Sequence, residues 1–273
     1  MNGYRIMRAI LSPIYKLRYN PKIMGKENIL VDGPIILAGN HIHIMDQCNV
    51  IISTKRKIHY MAKKEYFDDK KVAWFFRFVG CIPVDRKNKD ANAKEKAIEV
   101  LKEGHALGIF PEGTRNAVKE DKAREIYNKY FFEMSFKKFY KKIKKNKMSL
   151  LLYLEELLKN GKITELDYLN HLFNVSRYLR ELIDSGVITS DDYYDHILLP
   201  LKYGAVSMAS KTNAYIVPYA IRGNYKLTSR NLKVMIGEPF KVDSDLETAN
   251  KKLDETIKSL IKEIDKKVTN NVK

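Results

Sequence analysis

Apolar residues along this chain fall into two kinds of run. Short continuous runs at 35–38, 58–62, 81–84, 106–110, 214–221 and 232–236 are bounded by turn residues, with a shorter strand or strand approach at 22–25. Runs of this kind suit strands buried in a sheet. Val31-Asp32-Gly33-Pro34 and Gly237-Glu238-Pro239 read as turns. Between the strands, apolar positions recur at helical spacing over 46–53, 64–79, 91–103, 205–211 and 246–268. The 91–103 helix turns Ala97, Ile98 and Leu101 inward and is closed by Gly104 as a C-cap; the last helix carries Leu253, Ile257, Leu260, Ile261 and Ile264 as its stripe. The aromatic face of 64–79, with Trp74, Phe75 and Phe78, is expected to be core rather than a lipid anchor. Strands alternating with helices at this pitch predict an α/β domain with a mostly parallel sheet flanked by helices.

Two segments stand outside that alternation. Residues 1–20 pattern as an amphipathic basic helix, with Ile6, Met7, Ile10, Leu11 and Ile14 against Arg5, Arg8, Lys16 and Arg18, and Pro13 is expected to bend or end it. Such a helix can lie in a headgroup layer or pack on its own domain, and the first is the favoured reading. Residues 119–197 form an all-α insertion that splits the α/β domain into 21–118 and 198–273. Its first part, 123–147, sets Tyr127, Tyr130, Phe131, Phe132, Phe136, Phe139 and Tyr140 among lysines, which suits an interfacial helix or one packed on the parent domain equally. Its second part repeats at an offset of 25 residues, 154–172 against 179–197: Gly161/Gly186, Thr164/Thr189, Asp167/Asp192, Tyr168/Tyr193 and His171/His196 correspond. Each unit reads as a helix stopped by glycine, then a threonine N-capping a second helix. These units resemble the short helical hairpins called SHOCT domains. The paired histidines are read as structural, not as metal ligands.

Composition sharpens the choice of partner. The 273-residue chain has a formal net charge of +17, with 45% hydrophobic and 30% charged residues. An ordinary core with so much positive charge implies an anionic partner: nucleic acid, an anionic membrane surface or a phosphorylated substrate. No DNA- or RNA-binding motif is visible, so nucleic acid is not expected. Gly104 and Gly108 lack the Gly-Lys-Ser/Thr ending of a phosphate-binding P-loop. No apolar run approaches the ~20 residues that span a bilayer, and no cleavable leader is recognisable, so any membrane contact is peripheral. The two cysteines, Cys48 and Cys81, are expected to be free thiols in a reducing compartment.

Candidate chemistry begins at the end of the 35–38 run, in Gly39-Asn40-His41-Ile42-His43-Ile44-Met45-Asp46. A histidine delivered by a strand, with a carboxylate one turn on, can act as a general base whose ring the carboxylate orients. Two further blocks follow, Gly80-Cys81-Ile82-Pro83-Val84-Asp85-Arg86 and Phe110-Pro111-Glu112-Gly113-Thr114-Arg115-Asn116, and then Ile216-Val217-Pro218. In that order the blocks resemble the glycerolipid acyltransferases of the lysophosphatidic acid acyltransferase type, over about residues 26–118 and 198–240. Leu199-Pro200-Leu201-Lys202-Tyr203-Gly204 is similar to that family's F-K-x-G region.

The resemblance implies transfer of an acyl group from acyl-CoA or acyl-carrier protein to the hydroxyl of a lysophospholipid, with 1-acylglycerol 3-phosphate to phosphatidic acid as the leading reaction. His41 would be the base and Asp46 its orienting partner. Arg86 and Arg115, expected at the ends of neighbouring strands, would hold the substrate phosphate. Thr114 would add a hydrogen bond, Gly113 would allow close backbone approach, and Glu112 would orient Arg115 or the loop. No metal and no cofactor beyond the acyl-donor co-substrate is implied. Two departures stand out: His43 where serine is common, which makes it a competing base, and Asn116 where serine is commoner. The implied setting is cytoplasmic, peripheral on the inner face of the cell membrane, with a protein partner or self-association through 148–197 as a further expectation. The alternative reading is a basic nucleic-acid-binding or scaffold protein on a degenerate fold of the same kind.

Overall fold

The structure is a computed structural model that describes residues 3–30, 32–85, 91–130, 133–226, 231–243 and 245–269. It divides into two compact units, Met1–Gly113 with Leu201–Lys273, and Thr114–Pro200.

The first unit is built on a seven-stranded sheet of β1 (Lys22–Met24), β2 (Ile35–Gly39), β3 (Ile58–Lys63), β4 (Ile82–Val84), β5 (Ala106–Ile109), β6 (Tyr215–Arg222) and β7 (Lys233–Ile236), in the order β1-β7-β6-β2-β5-β3-β4. Every pairing is parallel except β6 with β7. β2 lies between β5 and β6 and is buried along its whole length, as a central strand must be in a sheet covered on both faces. Ala38 pairs with Ile109 on one side and with Pro218 on the other. The loops that follow β2, β5 and β6 therefore leave the sheet at the same edge.

Helices α1 (Gly3–Tyr19), α2 (Asp46–Ile51), α3 (Glu65–Asp68), α4 (Ala73–Phe78), α5 (Ala91–Lys102), α12 (Gly204–Thr212) and α13 (Leu246–Thr269), with a 3-10 turn at Lys26–Asn28, complete this unit among its described residues. The neighbours α5, α12 and α13 bury Ala97, Leu101, Val206, Ala209, Leu253, Ile257, Ile261 and Ile264, while Ile98 is only half-buried. A second cluster joins alternate strand residues, Ile35, Leu37, Val217, Tyr219, Ile221 and Val234, to Val50 of α2 and Tyr19 of α1. The glycines of β2 and β5 are steric requirements. A Cβ on Gly39 would sit 2.3 Å from the Tyr219 ring, and one on Gly108 would sit 2.3 Å from the Tyr60 ring.

Three local expectations give way. Pro13 does not end α1, which runs on through it to Tyr19. The helix is held on both sides of the proline: the Tyr4 hydroxyl accepts from Ile58 N–H at 3.4 Å, Arg8 Nε donates to the Ile51 carbonyl at 3.0 Å, and the Tyr15 hydroxyl donates to Asn49 Oδ1 at 3.0 Å. The expected 64–79 helix is two helices, because Asp69 turns extended and its carboxylate accepts Lys71 N–H at 2.9 Å, a local bond that competes with helix. Its aromatic face is not core either: Trp74 is 60% and Phe78 46% exposed.

The second unit is helical: α6 (Glu120–Tyr130), α7 (Phe136–Ile143), α8 (Met148–Lys159), α9 (Glu165–His171), α10 (Val175–Asp184) and α11 (Ser190–Asp195). The basic aromatic segment folds as the α6–α7 pair and turns its apolar side into this unit, with Tyr127 and Phe173 at 5.3 and 5.5 Å from the Phe139 ring. Phe131 and Phe132 lie outside the described residues. The two repeats are α8–α9 and α10–α11. Each first helix is followed by a glycine at positive φ, 69° at Gly161 and 76° at Gly186. Thr164 with Asp167, and Thr189 with Asp192, form reciprocal capping boxes on the second helices. His171 stacks on Tyr178 and His196 on Tyr153, each at 3.8 Å, so both rings pack within the unit.

Two buried asparagines tie these helices together. Asn116 donates to Ser149 Oγ at 2.9 Å and to the Ile197 carbonyl at 3.1 Å, and accepts Ser149 N–H at 3.0 Å. Asn146 donates to the Leu172 carbonyl at 2.8 Å and accepts Val175 N–H at 3.2 Å. Replacing either by alanine strands buried backbone groups, so Asn116→Ala should destabilise this unit by about 1–3 kcal/mol. Urea unfolding followed by circular dichroism would read it, and an unchanged midpoint would refute the tether.

Candidate active site

The site grows from the end of β2. Asn40, buried, donates to the Ile221 carbonyl at 3.0 Å and accepts Ile221 N–H at 2.7 Å, which fixes the exit of β2 to the end of β6. The chain then wraps once around the carboxylate of Asp46. Oδ2 accepts the N–H groups of Ile42 at 2.6 Å and His43 at 2.7 Å and meets His41 Nδ1 at 2.8 Å. Oδ1 accepts the Tyr225 hydroxyl at 2.5 Å. The spacing of five between histidine and aspartate is what closes this turn. Asp46 is 0% exposed, and a buried carboxylate persists only when its lone pairs are met by donors, as here.

An ionised Asp46 accepts only, so the proton of the pair lies on His41 Nδ1 and the lone pair on Nε2. The His41 side chain keeps 15% of its surface open. Its other flank rests on the loop after β5: the ring stacks on Phe110 at 4.0 Å, and its backbone N–H donates to Glu112 Oε1 at 2.8 Å. Glu112, 3% exposed, thus joins the loop after β5 to the loop after β2. Gly113 has φ +70° and lies under Lys202, whose side chain would meet a Cβ there at 2.8 Å. Lys202 N–H also donates to the Pro111 carbonyl at 2.9 Å.

His41, Asp46, Glu112 and Gly113 are therefore assembled in one unit. Thr114 and Arg115 open the other unit, and Arg86 lies outside the described residues. The expectation that Arg86 and Arg115 follow neighbouring strands is corrected by the strand order, since β3 lies between β4 and β5. His43 is not paired with the carboxylate through its ring: its Nδ1 accepts Met45 N–H at 3.2 Å and the ring stacks on Tyr225 at 4.2 Å. Tyr225 and Asn49 join the site without any motif to mark them, and Lys202 stands out only within the Leu199–Gly204 block. Tyr225 has only its place three residues past β6 at the shared edge.

The cysteines do not offer a nucleophile. Burial, reinforced by the charge of Asp46, pushes the Cys48 thiol up to about 11, and burial pushes Cys81 up to about 11. Among the described residues no group of three or more His, Cys, Asp or Glu side chains could hold a metal ion.

The sequence model of the acyltransferase family matches residues 20–222. The chain belongs to the acyltransferase family. Among curated members, the 1-acyl-sn-glycerol-3-phosphate acyltransferase of Bacillus subtilis is 36% identical over 115 residues, 42% of this chain and 58% of that protein. The protein of the same name from Borreliella burgdorferi is 38% identical over 96 residues, 34% of this chain and 38% of that protein. These matches cover less than two thirds of the relatives' lengths. A solved acyltransferase structure, the 1-acyl-sn-glycerophosphate (LPA) acyltransferase PlsC from Thermotoga maritima, shares the fold. Its TM-score is 0.54 at 18% identity, over 94% of this chain and 81% of that one.

Thiols with values near 11 are almost wholly protonated at neutral pH, and their reactive fraction rises tenfold per pH unit. Iodoacetamide at pH 7.5 should therefore modify this acyltransferase-family chain about 100-fold more slowly than a free cysteine, with the rate still climbing above pH 9. Mass spectrometry of timed samples checks this, and alkylation at the rate of the urea-unfolded chain would contradict it.

Proposed function

We propose that the chain transfers an acyl group from an acyl thioester, acyl-CoA or acyl-carrier protein, to the free hydroxyl of 1-acylglycerol 3-phosphate, forming phosphatidic acid in phospholipid synthesis. The observation that carries this reading is the His41–Asp46 pair at 2.8 Å, set at the C-terminal edge of a family sheet. His41 Nε2 takes the hydroxyl proton as the oxygen attacks the thioester carbonyl. The C–S bond then breaks, and the imidazolium returns the proton to the leaving thiolate, so histidine ends as it began. Asp46 offsets the transient positive charge. The attacking group is the substrate's own hydroxyl, which accords with two protonated cysteines. Backbone amides near the site stabilise the oxyanion.

Arg86, Thr114 and Arg115 hold the substrate phosphate in this reading, guanidinium matching phosphate oxygens in pairs. Lys202 beside Gly113 adds a further cation. The substrate arrives from a membrane surface. No described helix is long and apolar enough to cross a bilayer, but α1 leaves Leu11, Ile14 and Leu17 exposed, Leu17 by 80%, beside Arg5, Lys16 and Arg18. An apolar stripe with flanking cations fits the headgroup layer of an anionic leaflet. The inner face of the cell membrane is the setting this implies.

The deciding assay is acyl transfer to 1-acylglycerol 3-phosphate in vesicles with each donor. His41→Ala and Asp46→Asn should each lower kcat by about 10²–10⁴-fold with the fold retained. Absence of transfer by the folded wild-type chain with both donors sinks the proposal. A separate check is flotation with phosphatidylglycerol vesicles. Ile10→Asp with Ile14→Asp should weaken binding about tenfold or more, and unchanged flotation would remove α1 from the interface.

A further inference from the structure

We infer that Tyr225 is a positioning residue for the His41–Asp46 pair, and that Asn49 and Tyr15 extend its hydrogen-bond chain into α1, so that the seating of α1 sets the alignment of the pair. The chain is continuous. The Tyr15 hydroxyl donates to Asn49 Oδ1 at 3.0 Å, and Asn49 Nδ2 donates to the Tyr225 hydroxyl at 2.7 Å. The Tyr225 hydroxyl then donates to Asp46 Oδ1 at 2.5 Å, and Asp46 Oδ2 meets His41 Nδ1 at 2.8 Å. Its polarity is fixed. Asn49 Nδ2 also donates to the Asp46 carbonyl at 3.3 Å, so its amide oxygen faces Tyr15, and the Tyr225 proton goes to the carboxylate, the charged acceptor beside it.

The surroundings leave these groups little freedom. Asn49 and Asp46 are fully buried and Tyr15 is 6% exposed. The Tyr225 ring is stacked on His43 at 4.2 Å and met edge-on by Tyr19 of α1 at 5.6 Å. Burial, then the charge of Asp46, holds the Tyr225 phenol well above its ordinary value, so it remains a donor wherever Asp46 is ionised. Helix α2 is the part that couples the ends. It begins at Asp46, carries Asn49 one turn on, and at its last residue, Ile51, accepts Arg8 of α1 at 3.0 Å. Two bonds from α1, through Tyr15 and Arg8, thus grip the helix whose first residue orients the base.

The kinetic part of the test rests on the acyl-transfer reading; the spectroscopic part does not. Tyr225→Phe keeps both ring contacts and removes only the donor. In the full chain with ring-¹⁵N histidine, His41 is assigned by the signals lost in His41→Ala. Asp46, deprived of one donor, should bind His41 more tightly, which moves the Nδ1 resonance to higher frequency in Tyr225→Phe. Tyr15→Phe should move it in the same direction by less, and the double variant should match Tyr225→Phe alone. An unmoved resonance in folded Tyr225→Phe overturns the positioning role. An unmoved resonance in Tyr15→Phe overturns the link to α1, and this variant decides the case if Tyr225→Phe does not fold. Where transfer is measurable, Tyr225→Phe should lower kcat about tenfold with KM within about twofold, and an unchanged kcat overturns the role. A shifted resonance in a chain without transfer would retire the acyl-transfer reading and leave the positioning role standing.

Discussion

Everything at the site depends on keeping one carboxylate charged inside the protein. Asp46 is fully buried, and its charge is tolerated because two backbone N–H groups, one imidazole and one phenol converge on its oxygens. The donors come from two distant stretches, the turn 41–43 and Tyr225. Removing any one leaves the others to hold a charge that water cannot reach. This explains why the turn is so short, since only a tight wrap brings N–H groups of successive residues onto one oxygen. It also explains why β2 and β6 are locked at their ends by Asn40, whose two bonds to Ile221 fix where Tyr225 starts its approach.

The parts of the site that were legible in the sequence are those held by local chemistry. A histidine five residues before an aspartate, after an apolar strand, is a turn with its own logic, and Phe110 to Gly113 is continuous chain. What stayed hidden depends on strand order. β3 separates β4 from β5, so two blocks close in sequence do not end side by side. Tyr225 reaches Asp46 only because β2 and β6 are parallel neighbours, and nothing in Gly223-Asn224-Tyr225-Lys226 marks it. The same limit appears in the 64–79 region, where helical spacing was present but a side chain-to-backbone bond at Asp69 won over it.

The helical unit shows how a family motif can change hands. The boundary between units falls inside the Phe110–Asn116 block, after Gly113. Asn116, standing where serine is commoner, has its amide committed to Ser149 and Ile197 within the helical unit. Asparagine here has a packing explanation: its amide donates to a hydroxyl and a buried carbonyl and accepts a buried N–H, where a hydroxyl would satisfy fewer of them. The repeated Gly and Thr positions were legible because capping is local. The destination of the aromatic residues in 123–147 was not, because which surface an amphipathic helix covers is a tertiary fact.

Helix α1 carries two separate faces, and their separation is what gives it consequence. Tyr4, Arg8 and Tyr15 face the sheet unit at spacings of four and seven, while Ile6, Ile10, Ile14 and Leu17 recur at four, four and three on exposed surface. One face is bound to the domain by three polar anchors, and the other stays open. The anchors reach α2 at Asn49 and Ile51 and β3 at Ile58, the elements that flank the Asp46 turn. The seating of α1 is thereby tied to the turn around the buried carboxylate by hydrogen bonds as well as by the Tyr19 ring against Tyr225. Such bonds fix direction as well as distance, and direction is what a base working through one ring nitrogen requires.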